Sequence, residues 1–270
     1  MNLEMLIGTL KDYYNANGME RWCGGSQMIL HPSDEVWGGM LSRNPGVEDE
    51  IVKPNSSSAL SVNYHEMLGI ALDVRMDYEV AVAIPLHLDE GKGHPAMLDV
   101  KYEHDGVTYY VESKFLEPYY TVSHKASKSY WNKRYYAEEK EAENWMALFK
   151  KIDGMIEQKE FCYYDINQML KHLLAIYRIQ PQADVVLKNL IWRPTETFMN
   201  AIESRRSRSF LTKRVARLTE EMETARKLFV EFIGTINWKN CNVEISFYNE
   251  ALEQVSKCGF IDEFIAKYLF

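Results

Sequence analysis

Asp99, Glu112 and Lys114 are the residues of this 270-residue sequence whose types and spacing could do chemistry together. Between the first two lies Asp105-Gly106, a dipeptide suited to a two-residue type I′ turn because both central positions must accept positive φ. Carried back from that turn, the register sets His104 opposite Val107, Tyr102 opposite Tyr109 and Asp99 opposite Glu112. Directly opposed residues have Cβ atoms about 4.5–5.5 Å apart, and like charges there destabilise a sheet. A divalent cation between the two carboxylates would remove that cost. Strand alternation sets Leu98, Val100, Tyr102, Val107, Tyr109 and Val111 on one face, expected to be buried. The other face carries Asp99, Lys101, Thr108, Tyr110, Glu112 and Lys114 and is expected to be polar. Two carboxylates and an ammonium therefore converge.

An acid-x-Lys triplet alone carries little information, because the sequence contains five, starting at Glu90, Asp99, Glu112, Glu138 and Glu157. Only Glu112-Ser113-Lys114 lies in a strongly patterned strand with an aspartate set opposite it by a turn. The hairpin by itself also fits a solvated sheet face carrying an incidental ion pair.

The elements that must hold these residues follow from periodicity and punctuation. Residues 3–14 read as an amphipathic helix, followed by a long loop region through residue 54 that is broken by repeated Gly and Pro. Asn55 and the serines at 56–58 offer N-cap oxygens to a helix ending near Leu72. Strands are expected at 78–86, 95–103 and 107–116, where Val and Tyr suit a pleated surface. Helices are expected at 137–158 and 164–177, a strand at 183–192, a pair of helices within 196–234, a last strand at 242–247 and a helical tail. Strands grouped with flanking helices, and no break in composition, favour one α/β or α+β domain over 1–270 with helical decoration.

Asp99, with Glu112-Ser113-Lys114 following in the next strand, resembles the catalytic signature of the PD-(D/E)XK, or restriction-endonuclease-like, nuclease superfamily. Ser57-Ser58-Ala59 and Asn63 before the sheet, Phe115-Leu116-Glu117-Pro118-Tyr119 after it, and the later Gln168-Met169-Leu170-Lys171-His172 resemble a poorly characterised bacterial branch. The resemblance covers about residues 55–195. Leu98 stands where the motif's name has proline, and the nearest proline is Pro95.

The resemblance implies a restriction-endonuclease-like core, a central mixed sheet flanked by helices, with extra N- and C-terminal helices and strand decoration in 1–54 and 196–270. It implies Mg²⁺-dependent hydrolysis of DNA phosphodiester bonds, with Mn²⁺ able to substitute, in restriction or defence. Asp99 and Glu112 would hold the ion, the Ser113 carbonyl would add a ligand, and Lys114 would orient or help deprotonate the attacking water. Glu66, on the helix before the sheet, is the candidate for an additional acid at the metal. Gln168 and Lys171 share a helical face and could reach the site or a phosphate. His172 reads as a packing or hydrogen-bonding residue. Two alternatives stay open: a non-catalytic DNA-binding or interaction module of the same fold, and a metal-dependent phosphoesterase acting on RNA or nucleotides.

A net charge of −8 argues against binding nucleic acid by bulk charge, so a phosphate partner must be met by local patches. Arg205, Arg206, Arg208, Lys213, Arg214 and Arg217 form one, without an acid among them. Lys125, Lys128, Lys133 and Arg134, interleaved with Tyr130, Trp131, Tyr135 and Tyr136, form another that could track a backbone and stack on bases. Double-stranded DNA is the expected partner, and a homodimer would address both of its strands. The longest apolar run, 80–88, contains Pro85 and His87, too short and too broken for a membrane span. Glu4, Lys11 and Asp12 interrupt the first apolar stretch, so a start at Met1 without a secretory leader is expected. Four cysteines with no Cys-x-x-Cys pair, at 23, 162, 241 and 258, fit a reducing cytoplasm.

Overall fold

The computed structural model describes residues 2–22, 49, 52–82, 95–136 and 139–269. Helix α1 (Leu3–Ala16) begins behind Asn2, whose side chain accepts the Met5 N–H at 3.1 Å. Most of the expected loop region through residue 54 lies outside the described residues. Helix α2 (Ser57–Leu72) is capped by Ser56 rather than Asn55, its hydroxyl oxygen accepting the Ala59 N–H at 3.0 Å. It ends at Asp73, in the left-handed region at φ 54°.

Three strands follow as an antiparallel meander: β1 (Asp77–Val82), β2 (Ala96–His104) and β3 (Val107–Lys114). The end of the first expected strand, 83–86, lies outside the described residues. The β2–β3 turn has the expected conformation, with φ of 50° at Asp105 and 77° at Gly106. Its register is also as expected: His104 pairs with Val107, Tyr102 with Tyr109 and Val100 with Val111.

Short 3-10 turns at Glu117–Tyr119, Lys128–Trp131 and Lys133–Tyr136 lead to α3 (Ala142–Glu157), which starts five residues later than the periodicity suggested. Helix α4 (Ile166–Ile179) crosses to β4 (Val185–Ile191), which is parallel to β3. The short α5 (Glu196–Ala201) and the long α6 (Arg205–Thr235) are the expected helix pair. They lead to β5 (Cys241–Phe247), parallel to β4, and then to α7 (Tyr248–Ala251) and α8 (Ile261–Tyr268). The sheet order is β1-β2-β3-β4-β5, a mixed sheet flanked by helices.

The expectation of one apolar and one polar sheet face is corrected. Thr108, Tyr110 and Glu112 are buried, whereas Val107 and Tyr109 are only half-buried. Both faces are covered because β3 feeds a parallel crossover, which sets a helix over the face that a plain hairpin would leave wet. Helix α4 covers the Glu112 side: Tyr110 Oη donates to the Gln180 side chain just past its end at 3.1 Å. Helix α2 covers the opposite side, where Ser113 Oγ donates to the Ser57 carbonyl at 3.4 Å. Buried residues form one contiguous cluster from Leu6 and Leu10 of α1 to Phe264 and Tyr268 of α8. At its centre Trp192 packs edge-on to Phe115 and Phe198, and its indole N–H donates to the Tyr268 carbonyl. Burying each such side chain contributes about 1.5–3 kcal/mol, which ties the C-terminal tail to the sheet. Among the described residues, no helix is long and apolar enough to cross a membrane.

Candidate functional site

The strand pairing lines up side chains across the sheet. Tyr78 pairs with Val100 and Val80 with Leu98, which brackets Glu79 beside Asp99, while Glu112 pairs with Asn189 of β4. Asp99 and Glu112 stand at the end of the β2–β3 ladder, just beyond the Val100–Val111 pair. Asp99 Oδ2 accepts the backbone N–H of Ser113 at 2.5 Å, which ties the two strands together where the ladder stops. Ser113 serves as a junction, its hydroxyl lying 2.7 Å from Tyr248 Oη.

Glu112 is the hub. Its Oε1 accepts from Lys114 Nζ and from Gln168 Nε2, both at 2.7 Å, and its Oε2 lies 3.3 Å from His172 Nε2. Asn189 Nδ2 donates to its backbone carbonyl at 2.9 Å. Gln168 and His172 are four apart on α4, so one helical face delivers both. Asp165 starts that helix by accepting the Gln168 N–H at 3.1 Å, which sets the angular position of this face. Both ring nitrogens of His172 are buried without a well-aligned hydrogen-bond partner among the described residues.

The two carboxylates are driven apart electrostatically. Burial alone would raise Glu112, but the charges and hydrogen bonds of Lys114 and His172 outweigh it and bring its pKa down to about 2. Asp99 goes the other way: burial, then repulsion from Glu112 and Glu79, hold it well above the usual carboxylate range, against the pull of Lys114 and the Ser113 N–H. Burial opposes the charge on Lys114, yet Glu112, Glu117 and Asp99 together raise it above an ordinary lysine, so it stays an ammonium.

Glu112, Lys114 and Gln168 open onto a cavity of about 200 Å³ walled by Glu117, Pro118, Thr121, Val122, Tyr163 and Asp165. Helix α6 holds those walls. Arg214 Nε donates to the Pro118 carbonyl at 3.0 Å, its Nη2 to the Thr121 carbonyl, and its guanidinium lies 3.9 Å from the Tyr163 ring centroid. About two turns further on, Glu221 accepts the N–H groups of Cys162, Tyr163 and Tyr164 at 2.9, 2.8 and 2.9 Å.

Several expected site residues have other partners. Glu66 accepts the Tyr78 hydroxyl at 2.6 Å, and burial raises its pKa. It sits eight residues, about 12 Å of helix, beyond Ser58. Ser58 donates to Glu79 at 3.3 Å, so the acid that stands beside Asp99 is Glu79. Lys171 turns away from Gln168's target and lies 5.8 Å from the Tyr130 ring centroid. Arg214 is buried as described, and Arg217 binds Glu220, Glu221 and the carbonyls of Lys159 and Glu160, so both are structural. Arg208 donates to the Ile202 carbonyl at 2.9 Å. Arg205 and Arg206 are exposed. In the other patch Lys125 pairs with Glu157, Lys133 with Glu143 at 2.7 Å, and Arg134 stacks on Tyr135, while Lys128 is exposed. The aromatic members of that patch are also spent inside the fold: Tyr136 is buried and the Trp131 indole donates to buried Asp153 at 3.1 Å.

Glu79, Glu117 and Asn189 are not singled out by the sequence as site residues, and His172, expected as a packing or hydrogen-bonding residue, lies beside Glu112. Asn189 had a legible signal, a polar residue inside the apolar run of β4, and His172 had its spacing from Gln168. Glu79 had none, because the sequence of residues 83–94 carries no two-residue turn signal that would set the β1–β2 register. Among the described residues, no group of three or more His, Cys, Asp or Glu side chains is gathered closely enough to hold a metal ion. Comparison with protein-family models, curated proteins and solved structures returned no match for this chain.

Proposed function

We propose that the chain is a metal-dependent phosphodiester hydrolase acting on DNA, with its site at Asp99, Glu112 and Lys114. The observation that carries this reading is the junction of β2 and β3, where Asp99 bonds to Ser113 while Glu112 bonds to Lys114. The order helix, three-strand meander, helix, parallel strand also agrees with the restriction-endonuclease-like core that the motif resembles. Neighbouring buried carboxylates, one of them with its pKa driven up by burial and by the other, fit a hard cation, since bringing in positive charge relieves the repulsion that burial magnifies. Asp99 and Glu112 would hold Mg²⁺ with the Ser113 carbonyl, and Mn²⁺ would substitute. The ion would neutralise the scissile phosphate and lower the pKa of a bound water.

The protein's own groups divide the remaining work. Glu112, Glu117 and Asp99 favour the charged form of Lys114, which suits it to donate to a phosphate oxygen and orient the water. Gln168 fixes the Glu112 carboxylate with His172 standing beside it, and Asn189 fixes its backbone. Restriction or defence is the proposed setting.

A second reading has a specific observation in its favour. Glu112 is already neutralised by Lys114 at 2.7 Å, as in a structural ion pair, which suits a non-catalytic module of the same fold. Calorimetric titration of Mg²⁺ and Mn²⁺ into the parent protein and an Asp99→Ala/Glu112→Ala variant separates the two. Binding that disappears in the variant supports the hydrolase. Equal binding in both, or none in either with mixed-sequence DNA present, refutes it.

A further inference from the structure

We infer that the substrate enters as unpaired polynucleotide, one nucleotide in the Glu112–Lys114 cavity and the adjoining strand along the N-terminal half of α6, with Phe210 as its stacking platform. The inference rests on reading Glu112 and Lys114 as the phosphate site. Two independent features carry it.

The first is the depth of the site. The Glu112 side chain is 6% exposed and that of Lys114 22%. The cavity above them is about 200 Å³, on the scale of a cavity that admits one ring system and not a base pair. A phosphate on a smooth duplex cannot descend into such a hole with its neighbours still stacked. A splayed nucleotide can, as in enzymes that take a base out of the stack.

The second feature is the surface beside the cavity. On a helix turning about 100° per residue, Arg206, Phe210 and Lys213 fall in one stripe. That stripe borders the face whose Arg214 and Glu221 hold the cavity walls. Phe210 is 42% exposed and Val122, on the cavity wall, 54%, so an apolar side chain stays in water on the stripe and another on the cavity wall. Arg206 and Lys213 are exposed and have no ion-pair or hydrogen-bond partner among the described residues. In a chain of net charge −8, free cations flanking an exposed aromatic ring complement a strand of phosphates and bases. The stripe differs in this from the patch at 125–134, whose charges and rings are largely occupied by the fold.

The test uses the full chain and end-labelled 20-nucleotide probes of one mixed sequence: a DNA strand, an RNA strand and the DNA duplex. Anisotropy with Ca²⁺ reads binding, and gels with Mg²⁺ or Mn²⁺ read cutting. The expected result is that a DNA or RNA strand binds at least tenfold tighter than the duplex. Phe210→Ala should weaken strand binding roughly tenfold and leave duplex binding unchanged. Arg206→Ala/Lys213→Ala should reduce the salt slope of strand binding by about 1.4, at roughly 0.7 per lost phosphate contact. Duplex binding equal to strand binding, or strand binding indifferent to Phe210, overturns the inference. Lys114-dependent cutting of duplex without any Phe210 effect overturns it while sparing the hydrolase reading. Strand-selective, Phe210-dependent binding with no cutting in either metal sustains it and removes the hydrolase reading instead.

Discussion

Glu112→Gln and Asp99→Asn each remove one negative charge from the same junction, yet they should move stability in opposite directions in metal-free buffer at neutral pH. Glu112 is lowered from 4.5 to about 2, and each pKa unit corresponds to about 1.4 kcal/mol, so its ionised form contributes about 3 kcal/mol to the fold. Removing it leaves the Lys114 ammonium buried beside an uncharged amide, a type of loss that costs roughly 3–5 kcal/mol. For a chain of this size that is a melting temperature lower by roughly 5–9 °C. Because the folded-state pKa is depressed, this contribution is complete above about pH 4.5 and fades as pH falls through about 2. The gap between parent and Glu112→Gln should therefore narrow in acid. Asp99 has the opposite sign: its raised pKa means that the folded protein loses stability as pH climbs from the ordinary aspartate range through the folded value. Asparagine keeps an oxygen to accept the Ser113 N–H and carries no charge. The Asp99→Asn variant should thus match the parent in acid and exceed it at higher pH. Thermal and urea unfolding of the three proteins from pH 3 to 9 in EDTA reads both effects. A shift in the same direction for both variants, or a Glu112→Gln deficit that widens in acid, would refute the electrostatic assignment.

Lys114→Ala should abolish cleavage while Mg²⁺ titration still shows binding, and loss of both would make Lys114 a structural partner of Glu112 only. Arg214→Ala should cost roughly 2–3 kcal/mol in urea unfolding, because two carbonyls lose a charged donor and Tyr163 loses its stacked guanidinium. Hydrogen exchange over residues 117–122 should rise in the same variant. Glu221→Ala should free the backbone N–H groups of residues 162–164 for exchange, whereas unchanged protection there would show that they are held by something else. Gly106→Val should destabilise by roughly 1–2 kcal/mol, since a β-branched residue is strained at φ 77°, and an unaltered denaturation midpoint would contradict the turn geometry.

The sequence alone determined the hairpin and its register. Asp-Gly fits one short turn well, strands alternate with a fixed period, and those two local rules bring Val100 level with Val111, which leaves Asp99 and Glu112 together at the end of the ladder, without any knowledge of the rest of the chain. It also determined the order of helices and strands, because periodicity and caps are local. The tertiary structure decided everything that depends on which distant surfaces meet. Glu79 joins Asp99 through a connection with no legible turn, and Glu112 is buried because a parallel crossover lays α4 over it. Arg214 reads as one more cation in a basic run, yet it is buried against two carbonyls nearly a hundred residues earlier in the chain. Charge patterns state what a side chain can bind, but its partner is chosen by packing, where desolvation leaves a charged group only those neighbours the fold brings within reach.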